Sequence, residues 1–189
     1  MNELNIVIVG VGGQGTLLAS RVLGSIAKSL HFDVKVSEVH GMSQRGGSVI
    51  TYVRMGQKIY SALVEQKGAD YVLAFEQLEA LRALPYLKEK GTLLMSTQQI
   101  MPMPVITGVA EYPENIIETL QKQTDVVAID ALQLAHHAGN DRTVNTVLIG
   151  ALAARLHHPK QIWLDALSDC VPAKFLQVNL ASFESGYNK

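Results

Sequence analysis

The chain has 189 residues, 48% of them hydrophobic and 17% charged, where an average soluble domain carries about 25% charged residues. That length suits one domain over residues 1–189 with a core that needs no disulfide or metal staple, and the composition excludes a disordered chain. Sixteen basic against 17 acidic residues leave a net charge of −1, which argues against a nucleic-acid partner, because phosphate backbones select a basic excess.

In chain order, Leu4 to Val9 (LNIVIV) is a continuous apolar run, the pattern of a strand buried on both faces. Gly10 to Gly15 (GVGGQG) follows, then a helix from Thr16 to about Leu30 with Leu17, Leu18, Val22, Leu23 and Ile26 on one face. Asp33 to Val39 returns as a strand and completes a βαβ unit. His40 to Gly47 (HGMSQRGG) is a polar, glycine-rich loop. Ser48 to Arg54 and Ile59 to Val64 read as two strands around a turn at Met55–Lys58, which predicts an antiparallel hairpin and hence a mixed sheet. Alternation resumes with a strand at Tyr71–Phe75, a helix at Gln77–Lys88 interrupted by Pro85, and a strand at Thr92–Ser96. Met101 to Val109 carries Pro102 and Pro104, which predicts a loop or an edge strand. Pro113 to Gln123 is a helix begun by proline, and Val126 to Asp130 is the last strand. Beyond Ala131 the pattern is helical: Leu132–Ala138, Arg142–His157, Pro159–Val171 and a stretch after Pro172. The fold class is α/β: a three-layer α/β/α Rossmann-like domain with a mixed, mostly parallel sheet and a helical C-terminal quarter.

Two loops hold the candidate chemistry. Gly10, Gly12 and Gly15 fit G-x-G-x-x-G between a buried strand and a helix, where close backbone approach and a helix N-terminus favour an anion. Glu38, at the end of the second strand, stands where a dinucleotide fold keeps its ribose-binding acid. Against that reading, Gln14 puts a bulky amide inside the turn. The same glycines also serve a plain tight crossover. The second loop offers Arg45, Gln44, Ser43, Ser48 and glycine amides, with His40 beside them, a set suited to phosphate or carboxylate. The alternative is a solvated hairpin-entry loop. No nucleophile is paired with an evident base, so catalytic residues stay unassigned.

Cys170 is the single cysteine. It can form no internal disulfide and cannot supply the roughly four ligands of an iron–sulfur cluster, so any redox metal centre belongs to another chain. The histidine pairs 136–137 and 157–158 point neighbours in different directions, and no metal site is expected. Asp130 and Asp141 are read as caps or turn residues. Asn145 and Gly150 are unusual inside the apolar helix NTVLIGALAARL, as a core amide or helix-face contact and a close-packing point respectively. MNELNIVIVG has no basic n-region or cleavage site, and no apolar run approaches the ~18 residues of a membrane span. A cytoplasmic protein without a membrane partner is expected. The low charge fits apolar surface buried against another chain.

Taken together, GVGGQG after a strand, HGMSQRGGSV, ADYVLAFEQLEALRALPYLKEKG, NTVLIGALA and the tail VPAKFLQVNLASFESGY resemble the gamma-type subunit or domain of the 2-oxoacid:ferredoxin oxidoreductases. The likeness runs from about Ile6 to about Tyr187, and GMSQRGGSV is most similar to the stand-alone small subunits of the indolepyruvate enzymes. The resemblance implies a Rossmann-like subunit of a hetero-oligomer that oxidatively decarboxylates a 2-oxoacid, with coenzyme A as co-substrate and ferredoxin as electron acceptor. It implies that thiamine diphosphate and the iron–sulfur clusters sit on a larger partner subunit, and that this chain binds no cofactor by itself. By the same resemblance Gly12, Gly13, Gln14 and Gly15 form one binding loop. Gly41, Met42, Ser43, Gln44, Arg45, Gly46, Gly47 and Ser48 form the other, with Arg45 set against an anionic group. A self-sufficient NAD(P)-binding dehydrogenase and a non-catalytic scaffold subunit are the alternative readings. The low charge also allows a homodimer of the isolated chain.

Overall fold

The computed structural model describes residues 3–41 and 46–189. Six strands form one sheet: β1 (Leu4–Val11), β2 (Asp33–His40), β3 (Ser48–Gly56), β4 (Ala69–Ala74), β5 (Leu87–Ser96) and β6 (Asp125–Ile129), in the order β2-β3-β1-β4-β5-β6. β3 runs antiparallel to both neighbours, and β1, β4, β5 and β6 pair in parallel. The period-two rule distributes the buried side chains of β1 between two cores. Ile6 and Ile8 face a layer of α1 (Thr16–Ser29), α5 (Ala131–His137), α6 (Val144–Leu156), α7 (Lys160–Cys170) and α8 (Ala173–Tyr187). Val7 and Val9 face the opposite layer, α2 (Gln77–Ala83) and α4 (Ile116–Gln121). The result is the expected mixed sheet between two helical layers, with no strand after Ile129 among the described residues.

Four expectations are corrected. Ile59 to Val64 is not a strand, and there is no hairpin after Gly56. Both edges of β3 are already taken by β1 and β2. The carbonyls of Ser61 and Leu63 instead accept from the Arg54 guanidinium at 3.2 Å each, and the Ile59 amide donates to Asp33. β1 and β2 are not adjacent, because β3 inserts between them. The helix begun at Gln77 ends at Ala83, where Leu84–Tyr86 forms a 3-10 turn around Pro85, and β5 starts at Leu87. The Met101–Val109 stretch contains a four-residue helix, α3 (Met103–Ile106), with proline in its first turn.

The pairing register decides where the two glycine loops go. Val11 of β1 faces Ser48, and His40 of β2 faces Val49. The ends of β1 and β2 therefore meet the start of β3 at one edge of the sheet. That edge is also the C-terminal end of β4 and β5, where ligands of open α/β sheets collect.

Candidate functional site

The first loop is built around Gln14. Its Oε1 accepts from the Val11 amide at 2.8 Å, and its Nε2 donates to the Phe75 carbonyl at 3.0 Å and to Gln98 Oε1 at 3.2 Å. The bulky amide thus ties the ends of β1 and β4 to the segment after β5. Gly13 and Gly15 take φ of +107° and +86°, the left-handed region that glycine enters without steric cost. Gly15 is also the cap of α1, which has no side-chain cap and no acidic residue in its first turn. The start of α1 therefore leaves amides available to an anion. Behind the turn, Asn145 Nδ2 donates to the Gly15 carbonyl at 3.2 Å. The amide that looked misplaced in α6 is a buried strut for the glycine turn.

The two loops are joined through their backbones. The Gly12 amide donates to the Gly47 carbonyl at 2.8 Å, and the Gly46 amide donates to the Gly12 carbonyl at 3.2 Å. Ser48 Oγ then donates to Glu79 Oε2 at 2.5 Å, and the other oxygen of Glu79 is held by Arg82 at 2.6 Å. Of the expected site residues, Gly12, Gly13, Gln14, Gly15, Gly46, Gly47 and Ser48 belong to this joined edge, with Gly41 exposed at the end of β2. Met42, Ser43, Gln44 and Arg45 lie outside the described residues.

An open cleft of about 310 Å³ lies beside the joint, lined by Gly12, Gly13, Thr16, Leu17, Glu38 and His40 among others. One wall is backbone amide at the start of α1. The other is acidic: Glu38 Oε2 accepts from Thr16 Oγ1 at 3.1 Å and from Thr51 Oγ1 at 3.0 Å. Glu38 registers with Thr51, which registers with Ile8, so the acid stands two strand spacings from β1, roughly 10 Å. An ordinary dinucleotide fold keeps that strand next to β1. The inserted β3 breaks that arrangement.

Sequence reasoning missed a second pair of groups behind the edge. Glu76 is 1% exposed. It caps α2 through the Glu79 amide at 2.9 Å, and its other oxygen accepts from the Ile100 amide at 3.1 Å and from the Tyr112 hydroxyl. Burial and the adjacent Glu76 carboxyl push the Tyr112 phenol above its ordinary range. The signal was present in FEQLEAL, where two glutamates interrupt an otherwise apolar segment. Asp130 caps α5 through the Gln133 amide at 3.0 Å, and Asp141 pairs with His136 at 2.8 Å. Among the described residues no three His, Cys, Asp or Glu side chains converge as metal ligands do.

Residues 5–189 match the pyruvate ferredoxin/flavodoxin oxidoreductase family. The indolepyruvate oxidoreductase subunit IorB of Thermococcus kodakarensis is 44% identical, covering 98% of this chain and 95% of its own length. IorB of Methanothermobacter thermautotrophicus is 36% identical over 97% of this chain and 95% of its own. Among solved structures, the pyruvate oxidoreductase subunit PORC of Thermotoga maritima superposes with a TM-score of 0.74 at 20% identity, covering 100% of this chain and 97% of that one. The 2-oxoglutarate:ferredoxin oxidoreductase of Magnetococcus marinus, with 2-oxoglutarate, coenzyme A and succinyl-CoA bound, gives the same TM-score at 20% identity. There the match covers all of this chain but 31% of the longer one. At such identities the structural likeness carries the fold, and the fold agrees with the relatives. The chain belongs to the pyruvate ferredoxin/flavodoxin oxidoreductase family.

Proposed function

We propose that the chain is the small subunit of a hetero-oligomeric 2-oxoacid:ferredoxin oxidoreductase acting on indolepyruvate or another aryl 2-oxoacid. The observation that carries the reading is 44% identity to an IorB subunit across 98% of the chain. On this reading a larger partner subunit holds thiamine diphosphate and the iron–sulfur clusters. Thiamine diphosphate supplies the carbon chemistry of oxidative decarboxylation, ferredoxin takes the electrons through the complex, and coenzyme A accepts the acyl group. The single cysteine fits a chain that does not conduct electrons. The complex is cytoplasmic, and the chain contributes one domain to it, inactive alone and free to form a homodimer.

The joined glycine loops are the contribution of this chain to the site. The uncapped start of α1, at Gly15 and Thr16, suits an anion, and the Glu38 wall suits hydroxyl and amide donors. Coenzyme A presents groups of both kinds. Arg45, in the second loop, is assigned to an anionic group of coenzyme A or of the oxoacid. The dehydrogenase alternative is disfavoured by the inserted β3.

The test is reconstitution of the two subunits under anaerobic conditions, read as 2-oxoacid-dependent viologen reduction with coenzyme A. A panel of oxoacids should rank indolepyruvate or another aryl acid first. Arg45→Ala should raise the KM for coenzyme A or oxoacid; unchanged kinetics remove Arg45 from the site. A wild-type chain that binds no large subunit and titrates with NAD overturns the reading.

A further inference from the structure

Residues 100–112 form a knob clamped at both ends to one buried carboxylate. The Ile100 amide and the Tyr112 hydroxyl both donate to Glu76 Oε1, and the Leu78 amide donates to the same tyrosine oxygen at 3.2 Å. Between the clamps the backbone satisfies itself. The Val105 and Ile106 amides reach the Pro102 carbonyl at 2.9 and 3.1 Å, and those of Val109 and Ala110 reach the Pro104 carbonyl at 2.8 and 3.0 Å. Thr107 closes on Met103 with both its amide and its hydroxyl. Two prolines fix φ in the same turn. The knob is therefore ordered by its own bonds and by Glu76.

The knob nonetheless exposes Met101, Met103, Ile106 and Val109, at 43%, 65%, 65% and 82%. It is the densest run of exposed large apolar side chains among the described residues. The flanks choose the partner. No lysine or arginine occurs from Gly91 to Gln121, while Glu111 within the knob and Glu114 and Glu118 after it are all exposed. A second copy docking on a two-fold axis sets acid against acid. A pocket with basic residues at its margin is complementary. The knob also leaves the sheet at the glycine-loop edge, since Gln98, between β5 and the knob, holds Gln14 at 3.2 Å.

We infer that the 100–112 knob docks into an apolar pocket, rimmed by lysine or arginine, on the large subunit of the oxidoreductase. The inference rests on the subunit reading above. Met103, Ile106 and Val109 enter the pocket, the glutamates meet its rim, and the glycine-loop edge is brought against the partner.

The full-length chain is titrated against the purified large subunit of the same organism, wild type beside three variants. Ile106→Asp/Val109→Asp alters exposed side chains, so its thermal melting should match wild type while binding falls about tenfold or more, the loss expected when central apolar anchors are removed. Glu111→Lys/Glu114→Lys should bind more weakly, and its affinity should rise rather than fall with salt. Val36→Asp, at an exposed apolar residue on the distant edge strand β2, is the control and should bind as wild type. Knob variants that bind as tightly as wild type overturn the inference and leave the subunit reading standing. Knob variants that dissociate a homodimer while hetero-association is unchanged overturn it in favour of a second copy. If wild type itself does not bind the large subunit, the subunit reading falls and the inference with it.

Discussion

Gly15 carries two constraints that no other residue type meets together. Its φ is +86°, and a Cβ built on it would stand 2.3 Å from Asn145 Nδ2. Gly15→Ala should therefore cost about 1–3 kcal/mol in backbone strain alone, with a further loss from displacing Asn145, read as a shift in the urea midpoint. Asn145→Ala loses the bond to the Gly15 carbonyl but opens the space the alanine needs. The double variant should be more stable than the sum of the single losses implies, and the strain should remain; strict additivity would show that the two residues do not touch. Sequence inspection picked out both residues but could not join them, since 130 positions separate the pair. Gln14 was legible as an obstacle to a dinucleotide and, through the resemblance, as a member of the first loop, but not as the tie that holds it. Its three hydrogen bonds explain the bulk: the turn needs an amide that both accepts from β1 and donates across the sheet.

Helices α6 and α8 meet backbone to backbone. A Cβ on Gly150 would lie 2.1 Å from the Phe183 carbonyl oxygen, and one on Gly186 would lie 1.8 Å from that of Val147. Neither atom is the end of a flexible side chain, so relief requires the helices to part. Gly150→Ala should destabilise the chain despite alanine's better helix propensity. Trp163, the one tryptophan, reports on this directly, because its ring lies 6.4 Å from that of Phe183. Its emission should shift to the red in the variant as the packing loosens, and an unshifted spectrum with unchanged melting would show that the crossing tolerates a methyl group. Gly150 announced close packing in the sequence because a glycine inside an apolar helical stretch weakens the helix and so points to a packing reason. Most elements were legible in the same way, from apolar runs and from prolines at starts and breaks. The Ile59–Val64 hairpin was one exception. Its apolar content is real, but Arg54 takes the carbonyls a ladder needs, and one arginine reaching back over its own strand leaves no mark in the local pattern.

At the scale of the whole molecule, what could not be read was the order of strands. The insertion of β3 between β1 and β2 brings the two glycine loops into backbone contact. Local pattern is silent on it, because the same strands in another order bury the same side chains. The composition, by contrast, gives a physical expectation for the isolated chain. A net charge of −1, an isoelectric point of about 6.6 and an exposed apolar knob leave little repulsion to oppose association near neutrality. Light scattering of the isolated chain should therefore rise as the pH is lowered from 8.5 towards 6.6 and fall again when the pH is raised. Ile106→Asp/Val109→Asp should suppress the rise in two ways, by adding negative charge and by removing apolar surface. Serines at the same two positions separate the causes. They leave the net charge unchanged while deleting the same surface, so suppression by both variants assigns the association to the knob. Suppression by the aspartates alone assigns it to net charge, and the apolar surface would then play no part in holding isolated chains together.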